Sequence, residues 1–130
     1  LMTIANGESK ITETIFENRM NHIYLLNEMG ASIKLNKNVA HIKGVKTING
    51  MNLVGSDLRS SAALIIAGII AKGCSNFYGL EHLDRGYENF ELKLKNLGVK
   101  INREISKNTF EENGYKIEPR SENLPKLEAA

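Results

Sequence analysis

Tryptophan is absent from this 130-residue chain, cysteine occurs once and proline twice. A single cysteine excludes an internal disulfide and suits a reducing compartment, so the cytoplasm is the expected location. The longest apolar run, ten residues from Ala62 to Ala71, stops at Lys72 and is about half of what a bilayer-spanning helix needs. No signal-peptide pattern opens the chain, and no membrane partner is expected. An excess of one charge is lacking too. Seventeen Lys and Arg against fifteen Asp and Glu leave +2 with no basic block, and the four Tyr and four Phe are scattered. Nucleic acid, which needs a charged track or a stacking platform, is therefore not an expected partner. His22, His41 and His82 lack metal-ligand spacing and Cys74 has no second thiol, so no metal site is expected. P-loop, dinucleotide fingerprint and nucleophile elbow are all missing, and no cofactor is expected.

What is present is the composition of an ordinary globular domain, 42% hydrophobic and 25% charged. A chain of this length buries roughly two-thirds of its unfolded surface. Leu1-Met2-Thr3-Ile4-Ala5-Asn6-Gly7 resembles the last turn of a helix and its cap, so the chain is expected to be a piece of something larger. Lys10 to Phe16 is β-branched and alternating, and predicts a strand. A helix is predicted from about Asn21 to Met29, with Ile23, Leu26 and Met29 on one side and Gly30 as its stop. Ser32–Leu35 and Val39–Lys43 predict a hairpin about Asn36-Lys37-Asn38. Met51–Val54 is a short predicted strand that feeds Gly55-Ser56-Asp57-Leu58-Arg59-Ser60-Ser61. A long helix follows, from about Leu58 to Lys72. Ser75–Tyr78 predicts a strand, Gly79–Gly86 a loop, Tyr87–Leu97 a helix and Val99–Arg103 a strand. From Ser106 onward the chain is polar and reads as a loosely held tail (106–130), with Leu127–Ala130 resembling a cloning remnant.

An internal repeat emerges from this order. Ile4-Ala5-Asn6-Gly7 recurs as Ile70-Ala71-Lys72-Gly73, and Leu26-Asn27-Glu28-Met29-Gly30 as Leu94-Lys95-Asn96-Leu97-Gly98. Arg19 and Arg85 each lie twelve residues after the first marker's glycine. Copies at about 1–35 and 66–103 argue for an α/β domain of repeated strand–helix units.

Arg19, Arg59 and Arg85 all fall at predicted strand-to-helix junctions. Such junctions gather outside the carboxyl ends of strands, where ligands bind. Three guanidiniums there suit a phosphorylated or carboxylated substrate, unless Arg19 pairs with Glu17 and Arg85 with Asp84 as solvated ion pairs. Asp57 can cap the long helix, orient Arg59 or take part in proton transfer; the cap is the simplest role. Cys74 reads as a small buried filler, His41 as a solvent-facing strand residue, and His82 as either a surface residue or a substrate contact.

Three segments then carry a resemblance: Ile11-Thr12-Glu13-Thr14-Ile15-Phe16-Glu17-Asn18-Arg19, Asp57-Leu58-Arg59-Ser60-Ser61-Ala62, and His82-Leu83-Asp84-Arg85-Gly86-Tyr87-Glu88. Together they closely resemble the UDP-N-acetylglucosamine 1-carboxyvinyltransferases, a bacterial enolpyruvyl transferase family, from Leu1 to about Ile105. The resemblance implies an α/β (α+β) inside-out barrel of βαβαββ units, of which this chain would hold part of one domain (1–105). The implied reaction moves the enolpyruvyl group of phosphoenolpyruvate to the 3-hydroxyl of UDP-N-acetylglucosamine and releases phosphate. Ile15 would contact the UDP-sugar and Arg85 phosphoenolpyruvate. Asp57, Arg59 and Arg19 would line the cleft and bear on charge and closure. Other family residues, the mobile loop with its reactive Cys or Asp among them, have no counterpart here. The implied partner is therefore the missing N-terminal part of the same enzyme, and the chain alone is expected to be inactive. Two alternatives remain: a non-catalytic α/β binding or structural module, and a 5-enolpyruvylshikimate-3-phosphate synthase-like enzyme.

Overall fold

Alternation of apolar and polar residues gives most of the strands one inward face. In the computed structural model, which describes residues 1–105 and 113–119, this produces two sheets. The first holds β1 (Glu8–Thr12), β2 (Ser32–Asn36) and β3 (Val39–Lys43) in the order β1-β3-β2, with both neighbours antiparallel to β3. Ile33, Ala40 and Ile42 point inward beneath α1 (Ile23–Glu28), whose Ile23, Leu25 and Leu26 are buried, as is Met29 just beyond it. A 3-10 turn at Met2–Ile4 precedes β1.

The second sheet holds β4 (Asn52–Val54), β5 (Ser75–Tyr78), β6 (Ile101–Glu104) and β7 (Gly114–Ile117) in the order β4-β5-β7-β6. β4 and β5 are parallel, and β7 is antiparallel to both β5 and β6. β4, β5 and β6 therefore share one direction. The crossover from β4 to β5 is α2 (Leu58–Ile70), and α3 (Glu81–Gly86) and α4 (Phe90–Asn96) lie between β5 and β6. α2 packs so closely on the sheet that a Cβ on Gly68 would lie 3.2 Å from Ile117 and Ser75. Leu64, Ile65, Phe77, Tyr115 and Ile117 form the centre of this core.

The two sheets have the same connectivity. In β1-α1-β2-β3, as in β5-α4-β6-β7, the last strand inserts antiparallel between two parallel ones. With β4 and α2 added, the second sheet and its helices form a complete βαβαββ unit.

Four local expectations are corrected. β1 ends at Thr12 rather than Phe16, because the Glu13 carboxylate accepts the backbone N–H groups of Ile15 (2.8 Å) and Phe16 (3.3 Å) and turns the chain off the ladder. The segment expected as a loop at Gly79–Gly86 contains α3, and α4 starts only at Phe90, after Asn89 adopts a left-handed conformation (φ 51°). Gly114–Ile117, expected in a loose tail, is an interior strand with Tyr115 and Ile117 fully buried. Cys74, expected as a buried filler, is exposed. The suggested remnant at Leu127–Ala130 lies outside the described residues.

Between the first sheet and α2 lies an apolar cleft of about 420 Å³, lined by Ile11, Met20, Ile66 and Ile70 among others. Ile66 and Ile70, which line it, are exposed on α2.

Candidate functional site

The site is organised by the step from β4 into α2. Gly55 makes that step possible: a Cβ there would lie 1.9 Å from the Ser61 hydroxyl and 2.7 Å from the Phe77 ring. Asp57 follows in extended conformation and caps the helix. Its Oδ1 accepts the N–H groups of Arg59 and Ser60, each at 3.0 Å, and its Oδ2 accepts the hydroxyls of Ser60 (2.6 Å) and Ser56 (3.3 Å). Partial burial pushes the Asp57 carboxyl up. The Ser60 hydroxyl, the Ser60 and Arg59 amides and the Ser56 hydroxyl outweigh it, and the group is held below its ordinary value. Asp57 is thus an ionised cap with its lone pairs engaged. The two α2 N–H groups it occupies are not open to a ligand.

Arg59 projects from the first turn of α2 and is exposed. Arg85 sits in the last turn of α3, also exposed. Among the described residues neither guanidinium has a hydrogen-bond or ion-pair partner. The alternative Arg85–Asp84 pair does not form, and Asp84 is bound by Arg103 through two hydrogen bonds. Arg19 is half-buried and pairs with Glu13 (3.6 Å) rather than Glu17, with its guanidinium 4.1 Å from the centre of the Phe16 ring. Ile15 stands in the turn ahead of Arg19 and is 77% exposed.

These segments meet at the start of α2. Gly86, next to Arg85, abuts Leu58, next to Arg59; a Cβ on Gly86 would lie 2.6 Å from both Leu58 δ carbons. The Gly55 N–H donates to the Tyr78 carbonyl (3.2 Å), which joins the carboxyl ends of β4 and β5. His22, just ahead of α1 and three residues after Arg19, lies within reach of the Asp57 charge. Burial lowers the His22 pKa, opposed by Asp57 and by the Arg19 carbonyl. The geometry therefore offers unpaired guanidiniums at the carboxyl edge of a parallel strand pair, an arrangement suited to phosphate or carboxylate. His82 is half-buried on α3, and His41 faces solvent as expected.

Sequence reasoning passed over Glu13 and Arg103. Glu13 lies six positions from its partner, a spacing with no local pattern, and Arg103 reaches Asp84 only through the tertiary fold. Among the described residues no group of three or more His, Cys, Asp or Glu could hold a metal ion. None of their helices is long and apolar enough to cross a membrane.

A protein from Prochlorococcus marinus (strain AS9601) described as UDP-N-acetylglucosamine 1-carboxyvinyltransferase is 95% identical over all 130 residues, and one of the same description from strain MIT 9312 is 81% identical. This chain spans 28% of the length of each. Among solved structures, the enolpyruvyl transferase NikO from Streptomyces tendae superposes with a TM-score of 0.66 at 28% identity, covering 72% of this chain and 22% of that one. Residues 1–94 match the family model described as EPSP synthase (3-phosphoshikimate 1-carboxyvinyltransferase). With its α+β units, its matched residues and these relatives, the chain belongs to the EPSP synthase (3-phosphoshikimate 1-carboxyvinyltransferase) family of enolpyruvyl transferases.

Proposed function

We propose that this chain forms one wall of the active-site cleft of a UDP-N-acetylglucosamine 1-carboxyvinyltransferase. The whole enzyme would transfer the enolpyruvyl group of phosphoenolpyruvate to the 3-hydroxyl of UDP-N-acetylglucosamine, release phosphate, and serve bacterial cell-wall synthesis in the cytoplasm. The observation that carries this reading is the pair of exposed guanidiniums, Arg59 and Arg85, unpartnered among the described residues and on segments that abut through Leu58 and Gly86. Phosphoenolpyruvate brings a carboxylate and a phosphate, and the UDP-sugar a diphosphate. Fixed cations at the reacting centre stabilise the charge that the tetrahedral intermediate retains.

In this reading Arg85 holds phosphoenolpyruvate, while Arg59 and Arg19 balance charge as the cleft closes. Ile15 offers apolar surface to the UDP-sugar, and Asp57 fixes the first turn that carries Arg59. The groups that move protons and the opposing wall belong to the remainder of the polypeptide. The 95% identity of the strain AS9601 relative over all 130 residues favours the UDP-sugar over shikimate 3-phosphate, the acceptor suggested by the family model's description.

The test is acceptor-dependent phosphate release by the full-length protein that carries this chain. Phosphate is expected from phosphoenolpyruvate only when UDP-N-acetylglucosamine is added. Release with shikimate 3-phosphate instead would establish the sister activity. A protein that releases phosphate with neither acceptor would be a non-catalytic module.

A further inference from the structure

The turn that follows β1, residues 13–19, is tied from two sides through Glu13. On the sheet side, the Glu13 N–H donates to the Asn38 carbonyl (2.9 Å) and Asn38 Nδ2 donates to the Glu13 carbonyl (2.7 Å). The turn between β2 and β3 thus holds the Glu13 backbone. On the other side, Glu13 Oε1 accepts the N–H groups of Ile15 (2.8 Å) and Phe16 (3.3 Å), and Oε2 lies 3.6 Å from Arg19 Nε. The Arg19 guanidinium stands 4.1 Å from the centre of the Phe16 ring, which closes the set of contacts. Hydrogen bonds from amides to a carboxylate are of the stronger, charge-assisted kind. The Ile15 amide foremost, then that of Phe16, holds the Glu13 carboxyl below its ordinary value.

What this clasp orders is apolar and faces water: Ile15 is 77% exposed and Phe16 54%. Fixing a backbone costs conformational entropy, and these residues return little of it as burial. Ending β1 would need only a break in the ladder, without a second oxygen turned to Arg19. An exposed segment fixed in advance is instead what a ligand benefits from, because the ordering is complete before it binds. We propose that Glu13 is a positioning residue for the acceptor: by clasping the Ile15 and Phe16 amides with one oxygen and steering Arg19 with the other, it sets the turn that meets UDP-N-acetylglucosamine. This rests on the reading of Ile15 as a UDP-sugar contact.

The experiment uses the full-length protein that carries this chain. UDP-N-acetylglucosamine binding is measured by calorimetry, turnover by phosphate release, and the 13–19 turn by hydrogen–deuterium exchange. Glu13→Met, similar in length but without an acceptor, is expected to weaken UDP-N-acetylglucosamine binding about tenfold and to speed exchange in the turn, with the phosphoenolpyruvate KM within about twofold of wild type. Glu13→Gln keeps an oxygen for the two amides and should bring binding back to within about threefold of wild type, a recovery that belongs to the clasp rather than to the charge. Should Glu13→Met fail to fold, Glu13→Ala reads the same loss. Unchanged binding or unchanged exchange in Glu13→Met, or a Glu13→Gln protein that binds no better than Glu13→Met, would overturn the proposal. Loss in Glu13→Met with recovery in Glu13→Gln, but wild-type binding by Ile15→Ala, would leave the proposal standing and sink the reading of Ile15 as the sugar contact.

Discussion

Asp57 carries the residue-scale logic. Its carboxylate serves the Arg59 and Ser60 amides and two hydroxyls at once, so it fixes the turn from which Arg59 projects. Asp57→Ala is expected to cost about 1 kcal/mol of stability, and Asp57→Asn less, because an amide oxygen still accepts from the helix N–H groups. The pH dependence has a definite sign. Because the folded-state pKa of Asp57 is lowered, its contribution is complete above the ordinary aspartate value and is lost as pH falls below about 4. Thermal melts of wild type and Asp57→Ala should therefore converge towards acid pH; a difference that grows on acidification would contradict this. The cap was legible because Asp57 stands just before a long apolar run. The Glu13–Arg19 pair was not, because a six-residue spacing matches no helical or strand period, and neither was Asp84–Arg103, whose partners meet only in the fold.

At the scale of elements, local hydrogen bonding and chain length decide where the sequence misleads. Ile11 to Phe16 continues a β-branched alternation, yet the Glu13 carboxylate takes the Ile15 and Phe16 amides and ends the strand. Glu81–Gly86 is too short for a helical period to show between Gly79 and Tyr87. β7 is the counterpart of β3, but the link between β6 and β7 (105–113) replaces the two-residue turn Lys37-Asn38. A repeat followed at constant spacing therefore misses it. Glycine sets the other critical junction. Gly55→Ala would drive a methyl group into Ser61 and Phe77, so a loss of about 1–3 kcal/mol is expected in denaturant titration, with no loss if the β4–α2 step can spread apart. Gly79, on the facing junction, holds a positive φ (79°), and its Cβ position lies 3.1 Å from the Gly55 carbonyl oxygen.

For the whole molecule, the two sheets with one connectivity explain why Arg19 and Arg85 share a place in the sequence repeat. Each lies between the first strand of a βαββ arrangement and its helix, Arg85 on the added α3. The fold class was legible from that repeat and its glycine-stopped helices. The site was legible only as three arginines, since their environments depend on which carboxylates the fold assigns elsewhere. The chain spans 28% of the length of its Prochlorococcus relatives, and a closing cleft needs both walls. The 130-residue chain alone is therefore expected to release no phosphate from phosphoenolpyruvate, and turnover by it would refute the two-walled account. The central claim is that the exposed Arg85 guanidinium holds an anionic substrate. Its most direct measurement is kcat/KM for phosphoenolpyruvate in the full-length protein carrying Arg85→Ala, with the melting temperature recorded alongside. A fall of about 100-fold at unchanged melting temperature is predicted. A value within about twofold of wild type would contradict the account, because the exposed Arg85 guanidinium would then have no part in binding.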